Sequence, residues 1–232
     1  PVTHITTDRE GNLWVATQGQ GVLSYVEDDE EPQFYAFDEI GGRVSHVYVD
    51  ADNQLWALTT QTGSSLWRLN KGRKVFEPVS VQSDQPYGTL SMLQDGDGNR
   101  WIGTWEHGLM LLHDNGQLEP MPAPTTGHCL HIRTLSELQQ GQLLVGCDDG
   151  LWLFDIRQRT YSLYLPQRFV HAVTRDREGG LWVGTNYGGL TYISPIAHRF
   201  DATPGGITSR FCEDRRGRIW VGTNDSGVAC ME

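Results

Sequence analysis

Lysine is nearly missing from this chain: of 232 residues, only Lys71 and Lys74 are lysines. Acidic residues outnumber basic ones by 29 to 18, giving a formal net charge of −11. A nucleic-acid-binding surface needs a basic stripe or patch. None is present, so nucleic acid is excluded as a partner of this segment, and an anionic membrane surface is disfavoured on the same ground. Long apolar runs are missing too. No stretch approaches the ~18 residues of a membrane span, and no secretory leader opens the chain. No membrane contact is therefore read for this segment. The chain starts at Pro1, and the reading is a segment of something longer.

Cysteines are few: Cys129, Cys147, Cys212 and Cys230, spaced by 18, 65 and 18 residues with no C-x-x-C pair. That argues against zinc, and no metal or cofactor is expected. The expectation is four buried small hydrophobes, the usual fate of free cysteine. Disulfides stay open in an oxidising compartment, but the spacing assigns no pairing. Sustained helical periodicity is absent, as are H-E-x-x-H and G-x-S-x-G.

Glycine (27) and tryptophan (8) are abundant, which suggests many tight turns between aromatic strands. They fall in a repeat. DREGNLWVATQGQG starts at Asp8, DADNQLWALTT at Asp50, DGDGNRWIGTWEHG at Asp95, QQGQLLVGCDDG at Gln139, DREGGLWVGTNYGG at Asp176 and DRRGRIWVGTNDSG at Asp214. The shared pattern is D-x-x-G-x-L-W-V-G-T, a polar loop, then G-L. Its anchor is Trp14, Trp56, Trp101, Leu144, Trp182 and Trp220, with spacings of 42, 45, 43, 38 and 38. The D-x-x-G element is a tight turn. L-W-V-G-T suits a pleated strand, and its glycine marks a close approach between sheets. Four short strands per ~40 residues, repeated, are the signature of a β-propeller.

The fold class is therefore all-β: a propeller of four-stranded antiparallel blades, with about six repeats. The boundaries are 1–40, 41–83, 84–124, 125–166, 167–204 and 205–232, the last incomplete. The whole is read as one propeller domain or part of a larger one, seven-bladed or tandem.

The copies at Asp176–Leu190 and Asp214–Gly227 resemble the two-component regulator propeller family almost word for word, and Leu190–Phe200 resembles its inter-blade link. The fourth copy departs, with Leu144 for Trp, Cys147 for Thr and no leading Asp. The resemblance implies a non-catalytic periplasmic sensor domain of a hybrid histidine kinase anchored in the inner membrane. It further implies an oligosaccharide ligand and control of transcription. Homodimerisation is open. The alternatives are a protein-interaction scaffold without a small ligand and, less favoured, a metal-dependent propeller lyase.

In such propellers ligands sit on the face built by the loops between strands two and three and by the entries to strand one. The candidates on that face are Trp105, Glu106, His107, Asn186, Tyr187, Asn224 and Asp225 from the loops, and Arg43, Arg168 and Arg210 from the entries. Aromatic rings there would stack on sugar rings and the polar neighbours would bond hydroxyls. The competing reading packs Trp105 and Tyr187 against adjacent blades. His46, Tyr87, His131, His171 and the loop pair Asp148–Asp149 lie in the same sets. The framework tryptophans are assigned to the core. Asp95–Asn99 imitates a calcium loop only partly, with Arg100 where Gly belongs, and is read as the repeat's turn. The acidic run Glu27–Glu31 is read as a solvated loop.

Overall fold

The computed structural model describes the chain except residues 27–30, 36–42, 61–64, 71, 73, 82–87, 167–168, 187, 195–199, 204–207, 215–217, 224–226 and 232. The chain divides into two compact units, Pro1–Met121 and Pro122–Glu232. All regular structure among the described residues is β, and no helix there is long and apolar enough to cross a membrane.

The first unit holds three four-stranded antiparallel blades. Blade 1 is β1 (Val2–Thr7), β2 (Leu13–Thr17), β3 (Gly21–Tyr25) and β4 (Gln33–Tyr35). Blade 2 is β5 (His46–Val49), β6 (Leu55–Leu58), β7 (Leu66–Asn70) and β8 (Val75–Pro78). Blade 3 is β9 (Gly88–Gln94), β10 (Arg100–Trp105), β11 (Leu109–Leu112) and β12 (Leu118–Pro120).

The second unit holds blade 4, with β13 (Ile132–Gln139), β14 (Gln142–Cys147), β15 (Gly150–Asp155) and β16 (Thr160–Pro166). Blade 5 has β17 (Val170–Arg175), β18 (Leu181–Thr185), β19 (Gly189–Ile193) and β20 (Phe200–Thr203). A three-stranded sheet follows, of β21 (Thr208–Glu213), β22 (Ile219–Thr223) and β23 (Gly227–Met231). The fold is thus an all-β propeller type with five four-stranded blades. About six had been read from the repeat count; the sixth copy supplies three strands, not four.

Five of the six copies carry their own clamp. The Asp8, Asp50, Asp95 and Asp176 carboxylates each accept bonds from backbone amides two and four residues on. The other oxygen of each accepts the indole N–H of the tryptophan six residues on: 2.9 Å for Asp8–Trp14, 2.9 Å for Asp50–Trp56, 2.7 Å for Asp95–Trp101 and 2.9 Å for Asp176–Trp182. Asp214 does the same for Trp220 at 3.1 Å. One aspartate therefore satisfies the turn and the only polar atom of the anchor side chain, which lets the indole be buried without cost to its N–H.

The sheets bury their faces against each other. Trp14, Ala16, Val22 and Tyr35 of blade 1 pack with Val47, Ala57, Trp67 and Phe76 of blade 2. Trp56, Leu58 and Leu66 on the other face of blade 2 pack with Met92, Ile102, Met110 and Leu112 of blade 3. In the second unit Leu144 occupies the anchor position and packs with Val170, Val173 and Val183 of blade 5. The pattern glycine does mark a tight approach: a Cβ on Gly146 would lie 2.7 Å from Val170 Cγ1.

The core assignment of the tryptophans holds for Trp14, Trp56 and Trp101. It is corrected for the other two. Trp182 is half-buried and Trp220 is 36% exposed. The Asp bond is local to its own copy, whereas burial depends on a neighbouring sheet; the Arg218 guanidinium lies 5.3 Å from the Trp220 ring.

Candidate functional site

The loop between strands two and three is shaped by the threonine that ends the motif. Thr104 Oγ1 donates to the Gly108 carbonyl at 2.8 Å and accepts the His107 amide at 3.1 Å. Thr17 grips Gln20 and Gly21, and Thr185 grips Gly188 and Gly189, in the same way. The hydroxyl closes the loop from inside, so the loop side chains are released from holding it.

In the first unit this presents Trp105–Glu106–His107. Trp105 is 39% exposed, Glu106 is exposed at φ 77°, and His107 Nδ1 lies 3.2 Å from the Trp105 carbonyl. L-residues avoid that φ at roughly 1–2 kcal/mol. Arg43 is exposed and forms an isolated antiparallel bridge to Gln18 of the preceding blade's loop. Backbone bonds continue the join: the Val44 amide donates to the Thr17 carbonyl, and Thr89 to Thr59. His4 of β1 and His46 of β5 stack with ring centroids 3.5 Å apart.

In the second unit the same two sets of residues form a continuous row. His131 Nδ1 lies 2.7 Å from Asp148 Oδ2, and Arg133 Nε donates to Asp148 Oδ1 at 2.7 Å. The Arg133 guanidinium lies over the Phe169 ring at 4.6 Å. Phe169 packs on His171 at 5.2 Å, and His171 Nε2 meets Asn186 Oδ1 at 2.9 Å. The Asn186 amide closes back on the Phe169 carbonyl. Arg133, Asp148 and His131 keep 20%, 27% and 29% of their side chains exposed. The row runs from the blade-4 loop, across two strand entries, to the blade-5 loop. It offers carboxylate, guanidinium, imidazole and amide groups beside an aromatic ring.

Of the residues singled out from sequence, Trp105, Glu106, His107 and Arg43 are placed in the first unit and Asn186 in the second. Arg168, Tyr187, Asn224 and Asp225 lie outside the described residues, as do Tyr87 and most of the acidic run, and Arg210 is described in its backbone within β21 alone. Two members of the row, Arg133 and Phe169, were missed. Each stands two residues from a histidine singled out from sequence, Arg133 from His131 and Phe169 from His171, at the entry to the same strand.

Cys129 and Cys147 form a disulfide, with Cα atoms 5.5 Å apart. The expectation of free buried thiols is corrected for this pair. Their Cα separation falls in the range a bridge requires. Among the described residues, Cys129, Cys147 and Asp149 make a three-residue group of metal-ligating type, but the disulfide commits both sulfurs.

The family model described as two component regulator propeller matches residues 1–19, 164–187 and 203–225. Among curated proteins nothing matches. Two similar solved structures are extracellular domains from B. thetaiotaomicron. One is assigned to the hybrid two component system BT3049 (18% identity, TM-score 0.77) and one to the one component system BT4673 (18% identity, TM-score 0.81). Each match covers 100% of this chain, with 33% and 34% of those chains. The chain thus spans about a third of their length. The virginiamycin B lyase of Staphylococcus aureus is also similar, at 11% identity and TM-score 0.77, over 99% of this chain and 83% of that one. At these identities the likeness is one of fold. The family model thus covers three of the six copies, and in those the chain is similar to the two component regulator propeller family.

Proposed function

We propose that this chain is part of the extracytoplasmic sensor domain of a two-component signalling protein, and that it recognises an oligosaccharide. The carrying observation is the half-exposed row His131–Asp148–Arg133–Phe169–His171–Asn186. An aromatic face flanked by donors and acceptors suits a ring bearing hydroxyls, because each hydroxyl needs a partner once desolvated. Trp105, with Glu106 and His107, offers the same chemistry in the first unit. The disulfide supports a location outside the cytoplasm, where such bonds persist. The similar extracellular domains support the sensor role. In this reading the six copies belong to a propeller with further blades, and the kinase, its membrane anchor and control of transcription reside in other parts of the parent protein. The domain itself binds and does not catalyse.

The test is thermal unfolding of the chain against plant, host and microbial oligosaccharides. A ligand bound only by the folded state raises the midpoint saturably. One class should do so, and Arg133→Ala or His171→Ala should remove the shift. A shift lost only in Trp105→Ala would move the site to the first unit. No shift with any class, together with concentration-dependent self-assembly on size exclusion, would favour a scaffold.

A further inference from the structure

Blade 4 departs from the repeat at two points, and the two departures meet. It has no aspartate clamp, and Cys147 stands where the other blades have threonine. Its loop is a two-residue turn, Asp148–Asp149, with Cys147 paired directly to Gly150. No hydroxyl is available to close that loop. Instead the loop is tied to the non-strand segment that precedes β13. Cys147 bonds Cys129. Asp149 Oδ2 accepts the His128 amide at 2.6 Å, and its other oxygen accepts the Trp152 indole at 3.0 Å. Asp148 holds His131 and Arg133. Four ties within six residues thus fix the entry to β13, and one of them is covalent.

The covalent tie is built to last. Cys129 and Cys147 are 2% and 0% exposed, and the Asp149 carboxylate lies within 4.8 Å of both sulfurs. Burial and a neighbouring anion both disfavour a thiolate, which is the species that must leave when a disulfide is reduced.

We propose that the Cys129–Cys147 bond is a maturation lock that positions His131, Arg133 and Asp148. Two thiols surrender two electrons and two protons to a disulfide oxidant. The exchange passes through a mixed disulfide, and the oxidant departs as two thiols. Before that step the segment entering β13 is tied to the loop by hydrogen bonds alone. After it, the polar row has one geometry. The row is therefore assembled only once the chain has met an oxidising environment. This holds whatever ligand the row takes.

The experiment compares the oxidised protein with Cys129→Ser/Cys147→Ser and with wild type reduced by a phosphine, which covers the case where the variant fails to fold. Histidine ring signals are followed by NMR and backbone amides by hydrogen exchange. Without the bond, amides of residues 125–131 exchange about tenfold faster or more. The His131 signal moves or broadens, and His113, paired with Glu119 in the first unit, stays put. Reoxidising the reduced wild type with oxidised glutathione restores the His131 signal. The proposal is overturned if His131 and residues 125–131 are unchanged without the bond. It is equally overturned if both preparations lose their whole near-ultraviolet tertiary signal, since the bond would then be a general staple.

Discussion

The carboxylate of Asp95 accepts the indole N–H of Trp101 at 2.7 Å, and Trp101 is 2% exposed. Removing the carboxylate strands a donor that water cannot reach. Asp95→Ala should therefore cost about 2–3 kcal/mol, the penalty for an unsatisfied buried group with its turn bonds lost. Asp214→Ala makes the same chemical change beside an exposed Trp220 and should cost about 1 kcal/mol or less. Urea denaturation of both variants checks the ranking. Equal losses would mean that the turn, not the indole, sets the value.

Acid should weaken the Asp8 clamp in a defined direction. Burial works to raise its pKa, but bonds from the Trp14 indole, the Asn12 side chain and the Asn12 and Glu10 amides together outweigh it and hold it below the ordinary 3.8. A carboxyl with a depressed folded pKa stabilises the fold fully above its unfolded value. That contribution is lost as the pH falls through the folded one. Wild type should exceed Asp8→Asn in stability at neutral pH, and the gap should close on acidification below 3.8. A gap independent of pH would remove the charge from the account.

Glu106 sits in left-handed backbone at φ 77°. Relief of roughly 1–2 kcal/mol of strain, less about 0.5–1 for glycine's freedom in the unfolded chain, predicts that Glu106→Gly gains about 0.5 kcal/mol. Strain kept in an exposed loop fits a binding role, so the variant should be more stable while any ligand shift that depends on this loop weakens. A lower denaturation midpoint would show instead that the Glu106 side chain holds the loop.

Gly146→Ala should be destabilising by about 1–3 kcal/mol through overpacking, because its Cβ would meet Thr134 and Val170. The double variant Gly146→Ala/Val170→Ala should lose less than the sum of its parts, as expected for groups in contact. Strict additivity in a double-mutant cycle would deny the contact.

The blades were legible because their period, their turns and their strand chemistry recur together. The clamp was only half legible. Asp and Trp stand six apart in five copies, yet as letters they read as a turn and a core residue; the bond joining them needs the strand to curl the indole back over the turn. The threonine read as a strand former, and its grip on the loop emerged only with the backbone in place. Arg133 and Phe169 escaped because they lie outside the repeated pattern, where no period draws attention to them. The cysteine pair escaped for a different reason: Cys129 belongs to a connecting segment, and its position beside Cys147 is set by Asp148 and Asp149, not by spacing.

The Asp–Trp bond closes within seven residues of one copy. Neighbouring copies meet through apolar rows, a few backbone bonds and side-chain ties such as Asn53 Oδ1 accepting the Arg9 amide and Gln94 Oε1 accepting the Ala51 amide, and one apolar row will accept another of similar volume. Copies of such a chain can be gained, lost or exchanged without rewriting those that remain. Blade 4 is the exception, since its lock reaches back into the connecting segment and ties two stretches of sequence to a common inheritance. A shuffled descendant should keep residues 128–149 as one block and let the other copies vary in number.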